Sequence, residues 1–263
     1  MPMTVAWILA GAVLAAGPNA PTPPGAVAEL ADDVVVITTS PFAANSLLVR
    51  TADGTIVLVD TPTTPADTVA LLDWTGAHWG AEPRYAINSH WHADATGGNQ
   101  VLVGHGIEVI SSARTARLVV ERGEEMRESL VAMFAERDPS TAHTLEALRP
   151  TPAGRTYEIA DRVTLELGGE QVQLVYPGPS HSPDSIAIYF PARRLLYGGC
   201  AVRSDGTAVN LNEADLANWP RALERLAALD PLVVVPGHGR RFDPAMIAES
   251  IDLVRGLADT PSP

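Results

Sequence analysis

The chain has little cysteine and little positive charge, and both shortages limit what it can do. Cys200 is the only cysteine among 263 residues, so no intramolecular disulfide can form. With 18 basic against 31 acidic residues the formal net charge is −13, which argues against a nucleic-acid-binding protein because such proteins need a basic face. No apolar run reaches the length of a membrane span, so we expect no membrane-spanning segment.

The N-terminus lacks basic residues but otherwise has the pattern of an export signal. The small and apolar run at residues 5–17 is too short to span a membrane, and Ala15-Ala16-Gly17 offers a cleavage site. We therefore predict a signal peptide at residues 1–17, a proline-rich linker at 18–25 and the folded domain at 26–263. The expected location is the periplasm or the outside of the cell.

The bulk composition is that of an ordinary globular protein, with 46% hydrophobic and 19% charged residues. A chain of this length buries about three-quarters of the surface that its unfolded form exposes. The length is consistent either with one domain of two packed halves or with one large α/β domain.

The predicted elements favour two similar halves, each with strands first and then alternating helices and strands. Strands are predicted at residues 33–38, 47–49, 55–60, 84–87, 107–111, 156–159, 163–167, 172–176, 185–189, 195–197 and 232–235. Helices are predicted at residues 65–78, after Gly97-Gly98, over 114–148 with a break at Asp138-Pro139, and at 214–229 and 244–257. Two such halves, with sheets face to face and helices outside, give an α/β fold that is a four-layer αββα sandwich.

Three side chains that can bind a metal follow the predicted strand at residues 84–87. His90, His92 and Asp94 occupy alternate positions, and in extended backbone side chains two apart point to the same face. Imidazole and carboxylate together suit zinc or a similar transition metal. An isolated His-x-His is most often a surface coincidence, but the aspartate and the glycine pair that follow argue against that alternative.

Further ligand-type residues stand beyond the ends of later strands, at His181, Cys200 and His238. Strand ends gather along one rim of a sandwich, so these side chains can meet those of the first motif. A catalytic zinc takes about three protein ligands plus water, and six ligands therefore imply two metals. Cys200 could instead be a small buried hydrophobe. The remaining histidines, which share no such context, are assigned to the surface: His78, His105 and His143.

These ordered motifs resemble the class B metallo-β-lactamases, in the two-zinc subclass with a three-histidine site and an Asp-Cys-His site. The resemblance runs from about residue 33 to the final helix and implies an αββα sandwich that holds two Zn²⁺ ions. It implies a first zinc on three histidines and a second on the other ligands, namely His90, His92 and His181, then Asp94, Cys200 and His238. Glyoxalase-type and nuclease-type relatives have histidine at the position of Ala95 and aspartate at that of Cys200, so the match is to the lactamases.

The resemblance implies zinc-dependent hydrolysis of the amide bond of β-lactams, with resistance to penicillins, cephalosporins and carbapenems. Asp94 would orient the attacking water as well as bind metal. The expected partner is a small-molecule β-lactam, and we expect a monomer. Two alternatives stay open: a hydrolase of the same fold that acts on another ester, thioester or lactone, and a non-catalytic metal-binding protein.

The resemblance also assigns residues around the metals. Arg203 would bind the substrate carboxylate, with a solvated arginine as the alternative. Asn210 would approach the lactam carbonyl, although the glycines that usually flank it are replaced here. Phe42 is the only large apolar contact in the short loop at residues 40–45, and Asp60 would support the ligands from behind. The helical segment at 114–148 would cover the groove or mediate association.

Overall fold

The computed structural model describes residues 21–204 and 210–258. The predicted signal peptide at residues 1–17 and the first part of the predicted linker lie outside these ranges. Within them, no helix is both long enough and apolar enough to cross a membrane.

Two β-sheets form the centre of the described part of the chain. Among the described residues, the first sheet has seven strands in chain order: β1 (Ala26–Ala31), β2 (Val34–Thr39), β3 (Ala44–Arg50), β4 (Ile56–Val59), β5 (Tyr85–Ile87), β6 (Glu108–Ser112) and β7 (Arg155–Tyr157). The second sheet runs in the reverse of chain order from β12 to β8, with β8 (Arg162–Leu167), β9 (Glu170–Val175), β10 (Ala187–Phe190), β11 (Leu195–Gly199) and β12 (Val233–Pro236).

Helices connect these strands and cover the outer faces of both sheets. They are α1 (Pro65–Trp79), α2 (Ala93–Thr96), α3 (Asn99–Gly104), α4 (Ala113–Phe134), α5 (Pro139–Glu146), α6 (Trp219–Ala227) and α7 (Ala245–Ala258).

The central strands are apolar on both faces because each face meets a different layer. In β2, Val34 and Val36 pack into the core between the two sheets, whereas Val35 and Ile37 pack against α1 and α3. Such strands have unbroken apolar sequences instead of alternating ones. The outer face of the second sheet packs in the same way against α6 and α7. The predicted αββα sandwich is confirmed.

The predicted helix start at Pro65 and the predicted break at Asp138-Pro139 are both confirmed, and both show side-chain capping. The Oγ1 of Thr64 accepts a hydrogen bond from the backbone amide of Asp67 at the start of α1. The side chain of Asp138 accepts one from the amide of Thr141, and the helical segment breaks there into α4 and α5. In both cases proline takes the first helical position, where its missing N–H leaves no hydrogen bond unmade.

The prediction missed strand β1 and misplaced the start of helix α6. Strand β1 was not predicted; it is an edge strand, half of whose residues are alanine, and it pairs antiparallel with β2. Helix α6 begins at Trp219, five residues later than predicted, with Pro220 in its first turn. Because proline fits only the start of a helix, Pro220 marks the true beginning.

One edge of the sandwich joins the two sheets through β3 and the chain after β12. Ala44 and His238 form an isolated antiparallel bridge, and the amide of Asn45 donates to the carbonyl of Gly237 at 2.9 Å. The carboxyl ends of the parallel strands β11 and β12 lie at this edge, since β12 runs directly into His238.

Arg193 forms a buried ion-pair cluster that joins turns of both sheets. Its guanidinium donates to Asp33 at 2.7 Å and, through two nitrogens, to Glu170 at 2.6 and 2.9 Å. The side chain is only 7% exposed. The neighbouring Arg194 is much more exposed and pairs with the exposed Asp230. The two arginines therefore make ion pairs of similar chemistry in opposite environments.

Replacing Arg193 with Gln is expected to lower the free energy of unfolding by about 3 kcal/mol, because Glu170 is left buried without its counter-charge. The matched variant Arg194→Gln loses only an exposed pair and should change this free energy by less than about 1 kcal/mol. Urea unfolding of the three proteins measures both values. Equal losses from the two variants would contradict this account of the cluster.

Candidate metal centre

The first motif follows β5, but only part of it is extended. β5 ends at Ile87 and α2 begins at Ala93, so that His92 is the residue before the helix and Asp94 lies in its first turn. The expectation of three alternating side chains on extended backbone is therefore wrong for Asp94. It approaches His90 across a turn instead, with Oδ1 3.5 Å from Nε2.

The three later candidates lie where the strand-end argument predicts them. His181 is in the connection between β9 and β10, Cys200 directly follows β11, and His238 follows β12 by two residues. His181 and Cys200 are buried. The fold thus brings all six ligand-type side chains to one edge of the sandwich.

Three imidazoles form the first group. One nitrogen from each of His90, His92 and His181 lies within 4.8 Å of the others. Nδ1 of His92 is 3.3 Å from Nε2 of His181, and the two rings are nearly perpendicular at 84°. This arrangement directs ring nitrogens into a shared space and leaves room between them for an ion.

A carboxylate, a thiol and an imidazole form the second group. Sγ of Cys200 is 3.3 Å from Oδ2 of Asp94 and 3.2 Å from Nε2 of His238, and that nitrogen is 3.1 Å from the same carboxylate oxygen. His90, Asp94 and Cys200 also have ligand atoms within 4.8 Å of one another. The two groups are therefore adjacent.

A glycine permits the thiol and the last histidine to come this close. A Cβ at Gly237 would lie 2.6 Å from Sγ of Cys200 and 2.7 Å from its backbone nitrogen. The amide of Gly237 also donates to the carbonyl of Gly199 at 2.7 Å. Any side chain at this position would force the two loops apart.

Backbone and hydroxyl groups orient two of the imidazoles. Nδ1 of His238 donates to the carbonyl of Phe42 at 3.0 Å, so that Nε2 is the nitrogen that faces the second group. Nδ1 of His90 lies 3.1 Å from Oγ of Ser89. These contacts fix which nitrogen of each ring is available to a metal.

Asp60 lies behind His90, as the sequence led us to expect. Its buried carboxylate accepts hydrogen bonds from the amide and the hydroxyl of Ser89, both at 2.6 Å, and Ser89 in turn contacts His90. Burial raises the pKa of Asp60 to about 8, although both bonds from Ser89 oppose the shift. Its proposed support of the ligands stays a prediction, and the contacts through Ser89 connect its carboxylate to His90.

Burial sets the protonation of these ligand-type side chains. It lowers the pKa of His90 to about 3 and that of His181 well below its usual value, so both rings are neutral near pH 7. Burial also raises the pKa of the Cys200 thiol well above its usual value. For Asp94 burial acts to raise the pKa, but the neighbouring His90 and His238 outweigh it and hold the pKa well below its usual value.

A buried nitrogen without a hydrogen-bond partner also indicates that these residues suit a metal ion. Nε2 of His90 is fully buried and has no hydrogen-bond partner among the described residues, although it faces both groups. Such orphaned polar atoms are rare in folded proteins and call for a ligand. Neutral imidazoles, a carboxylate and a cysteine that binds as its thiolate are the ligand types that zinc prefers.

The structure locates Arg203 and Asn210 without testing their roles. Arg203 is 3% exposed and its amide donates to Oγ of Ser250 at 2.8 Å, so it is not the solvated arginine of the alternative. Asn210 is exposed, with a positive φ of 50°, and begins the second described range. Capture of a substrate carboxylate by the first and contact with a carbonyl by the second both stay predictions.

Phe42 contributes to packing as well as to the orientation of His238. Its ring centroid lies 5.7 Å from that of Phe134 at the end of α4. Together with Ala93 and residues of α5 the two rings belong to one apolar cluster, so the long helical segment packs beside the candidate site. A direct contact between Phe42 and substrate stays a prediction.

Sequence reasoning missed a group around Glu213. Its Oε2 accepts a hydrogen bond from Nε1 of Trp91 at 2.9 Å and lies 3.4 Å from Nε2 of His92, while Arg122 pairs with the other oxygen. The contact with His92 lowers the pKa of Glu213 to about 2. Trp91 lies inside the first motif, but no local pattern connects it to a residue 122 positions later.

The other three histidines contribute no ligand to the groups described above. His78 stacks on Trp74, while His105 and His143 lie at the surface beside glutamates.

Comparisons with known proteins agree with this geometry. The sequence pattern of the Metallo-beta-lactamase superfamily matches residues 39–238. Over 242 residues the chain is 26% identical to a metallo-beta-lactamase type 2 of Pseudomonas aeruginosa, and the match covers 88% of this chain and 86% of that protein. Over 209 residues it is 27% identical to a protein of the same name from Bacteroides fragilis, covering 78% of this chain and 73% of that protein. A solved structure named as a metallo-beta-lactamase from Pontibacter korlensis is similar with a TM-score of 0.68 at 27% identity, covering 88% and 98% of the two chains.

The buried histidines predict how the metal-free protein responds to acid. Because the pKa of His90 falls from 6.5 in the unfolded chain to about 3 in the folded one, only the unfolded chain binds a proton here as the pH drops through this window. Stability is thus lost on acidification. The variant His90→Gln lacks this loss, so between about pH 7.5 and about pH 4.5 its free energy of unfolding should fall by about 3 kcal/mol less than that of wild type.

Urea unfolding with EDTA present measures this difference at the two pH values. His143→Gln, which alters a histidine that is 87% exposed, serves as the control and should follow wild type. Parallel behaviour of all three proteins would contradict the neutral, buried state of His90.

Proposed function

Because the chain belongs to the metallo-beta-lactamase superfamily, we propose that it hydrolyses the amide bond of β-lactam antibiotics at a centre of two zinc ions. One observation carries the proposal: the only thiol of the chain meets Asp94 and His238 directly beside a group of three imidazoles. The names and coverage of relatives at 26–27% identity support it. Two adjacent sets of three ligands match the three protein ligands of a typical catalytic zinc.

Each group of side chains would hold one ion. His90, His92 and His181 would bind the first, and the second would take Asp94, Cys200 and His238. Zinc supplies a Lewis acid for the carbonyl oxygen and lowers the pKa of water to about 7.

The chain's own groups prepare this chemistry. The neutral rings of His90 and His181 offer lone pairs without first losing a proton, whereas the Cys200 thiol must release its proton when an ion binds. The ionised carboxylate of Asp94 can accept a hydrogen bond from water and orient it for attack on the lactam carbonyl. Asn210 would donate to that carbonyl and Arg203 would pair with the substrate carboxylate.

The expected substrates are penicillins, cephalosporins and carbapenems, and their hydrolysis would confer resistance. The turn before β3 spans few residues and is bonded to the loop of His238 through the Phe42 carbonyl, which favours an open site that admits varied ring systems. A second candidate is hydrolysis of another ester, thioester or lactone. It is favoured by the replaced glycines around Asn210.

Purified protein loaded with zinc is expected to hydrolyse nitrocefin, to lose this activity with EDTA and to recover it with added zinc. Cys200→Ser should lower kcat/KM at least about 100-fold, since loss even of groups that merely support a ligand typically costs 10–100-fold. His105→Gln, at an exposed histidine, is the matched control and should retain full activity.

A panel of penicillins, cephalosporins, carbapenems, thioesters and lactones decides between the two candidates. Turnover of thioesters or lactones alone would favour the second. Stoichiometric zinc binding with no turnover of any compound would contradict both and leave a metal-binding protein.

We also propose that residues 1–17 direct export and that the mature protein is a periplasmic or secreted monomer. The apolar run and the Ala15-Ala16-Gly17 site support this proposal. Native mass spectrometry of protein recovered from the periplasm of an expressing bacterium should show a single chain that begins at Pro18. An intact N-terminus or a dimer mass would contradict the corresponding part of the proposal.

A further inference from the structure

The carboxylate of Glu213 connects a metal-ligand candidate to helix α4. Its Oε2 accepts from Nε1 of Trp91 at 2.9 Å and lies 3.4 Å from Nε2 of His92. Its Oε1 pairs with Nη1 of Arg122, which is a residue of α4. Both oxygens of the carboxylate are therefore engaged, and each faces a different element of the fold.

Arg122 also covers the indole that donates to the same carboxylate. The carbon at the centre of its guanidinium lies 4.6 Å from the ring centroid of Trp91, within the range of a cation–π contact. One arginine thus contacts both members of the Trp91–Glu213 pair. The planar guanidinium can lie flat on a ring while its edge donates to a carboxylate, a geometry that the compact lysine ammonium does not offer.

The orientation of His92 decides which nitrogen a metal can use. Nδ1 is the nitrogen that faces His181, at 3.3 Å, whereas Nε2 faces Glu213. A carboxylate beside Nε2 favours the tautomer with its proton there, and that tautomer leaves the Nδ1 lone pair for an ion. Any movement of Glu213 would remove this preference.

We propose that Arg122 is a positioning residue that holds Glu213 against His92 and so fixes the three-histidine group for its metal. The inference rests on the proposed function for the existence of a first zinc site. An exposed ion pair adds little stability by itself. The effect of Arg122 therefore falls on zinc affinity more than on the stability of the metal-free protein.

The same contacts connect α4 to residues that orient the ligand-type side chains. Glu213 lies three residues after Asn210, and through it Arg122 ties α4 to the segment that carries this asparagine. At its C-terminal end α4 places Phe134 against Phe42, whose carbonyl orients His238. The long helix thus contacts supports of both ligand groups.

The test compares zinc affinity in Arg122→Gln, Glu213→Gln, the double variant and the control Arg127→Gln, by competition with a chromophoric chelator. Arg127 also lies on α4, but it pairs with Glu124 and Glu128. Arg122→Gln and Glu213→Gln should each weaken the first zinc about 10-fold, the lower end of the range for groups that support a ligand. The double variant should be no weaker than Glu213→Gln, because Arg122 acts through Glu213.

Cobalt substitution provides a second readout. The thiolate-to-cobalt absorption band reports the Cys200 group and should be unchanged in all variants, whereas the d–d bands of the three-histidine group should shift in Arg122→Gln. Thermal unfolding of the EDTA-treated proteins should give the same midpoint for this variant and for Arg127→Gln. If Arg122→Gln does not fold, Arg122→Lys replaces it, with an affinity loss expected because lysine lacks the planar fork that stacks flat and pairs with Glu213.

Equal zinc affinities of Arg122→Gln and Arg127→Gln would overturn the proposal, and so would independent, multiplying losses in the double variant. These results do not depend on whether the proposed function is correct. Wild-type protein that binds zinc but hydrolyses no β-lactam would refute the function, and the affinity comparison among the variants would still decide the role of Arg122.

Discussion

A single buried asparagine holds the edge of the sandwich at which the candidate ligands meet. The side-chain amide of Asn45 donates to the carbonyls of Pro236 at 2.9 Å and Gly239 at 2.7 Å, one on each side of His238. Its main-chain carbonyl accepts from the hydroxyl of Tyr197 in the other sheet at 2.7 Å. Because unmet hydrogen bonds are costly in a buried place, this network fixes how far β3 lies from the ends of β11 and β12.

The ligand groups depend on that fixed edge because they are buried polar groups with few partners of their own. A protein interior penalises such groups, and the penalty here appears as neutral imidazoles and a protonated thiol. The orphaned Nε2 of His90 shows that hydrogen bonds inside the protein do not fully relieve it. The fold therefore gives up some stability to hold these side chains in place, and a bound cation would return it.

Much of this architecture could be predicted from the sequence because its causes are local. Apolar strands that end in turns predict the positions of Cys200 and His238, and the pairs Thr64-Pro65 and Asp138-Pro139 mark helix starts. What could not be predicted depends on contacts between distant segments. The burial of Arg203 depends on its packing beside α7, and the partners of Glu213 come from the connection between β5 and α2 and from α4. The turn that carries Asp94 was misjudged because spacing alone does not reveal where a strand gives way to a helix.

The hydrogen bond between Nδ1 of His238 and the carbonyl of Phe42 couples the order of the turn before β3 to that of the second ligand group. Free-energy coupling of this kind is reciprocal. An ion that orders the His238 imidazole would also order the turn. A molecule that binds and orders the turn would then raise the affinity for the ion, by the same factor by which the ion raises the affinity for that molecule. Inhibitors that bind this turn and chelators that remove the ion would therefore oppose each other when applied together.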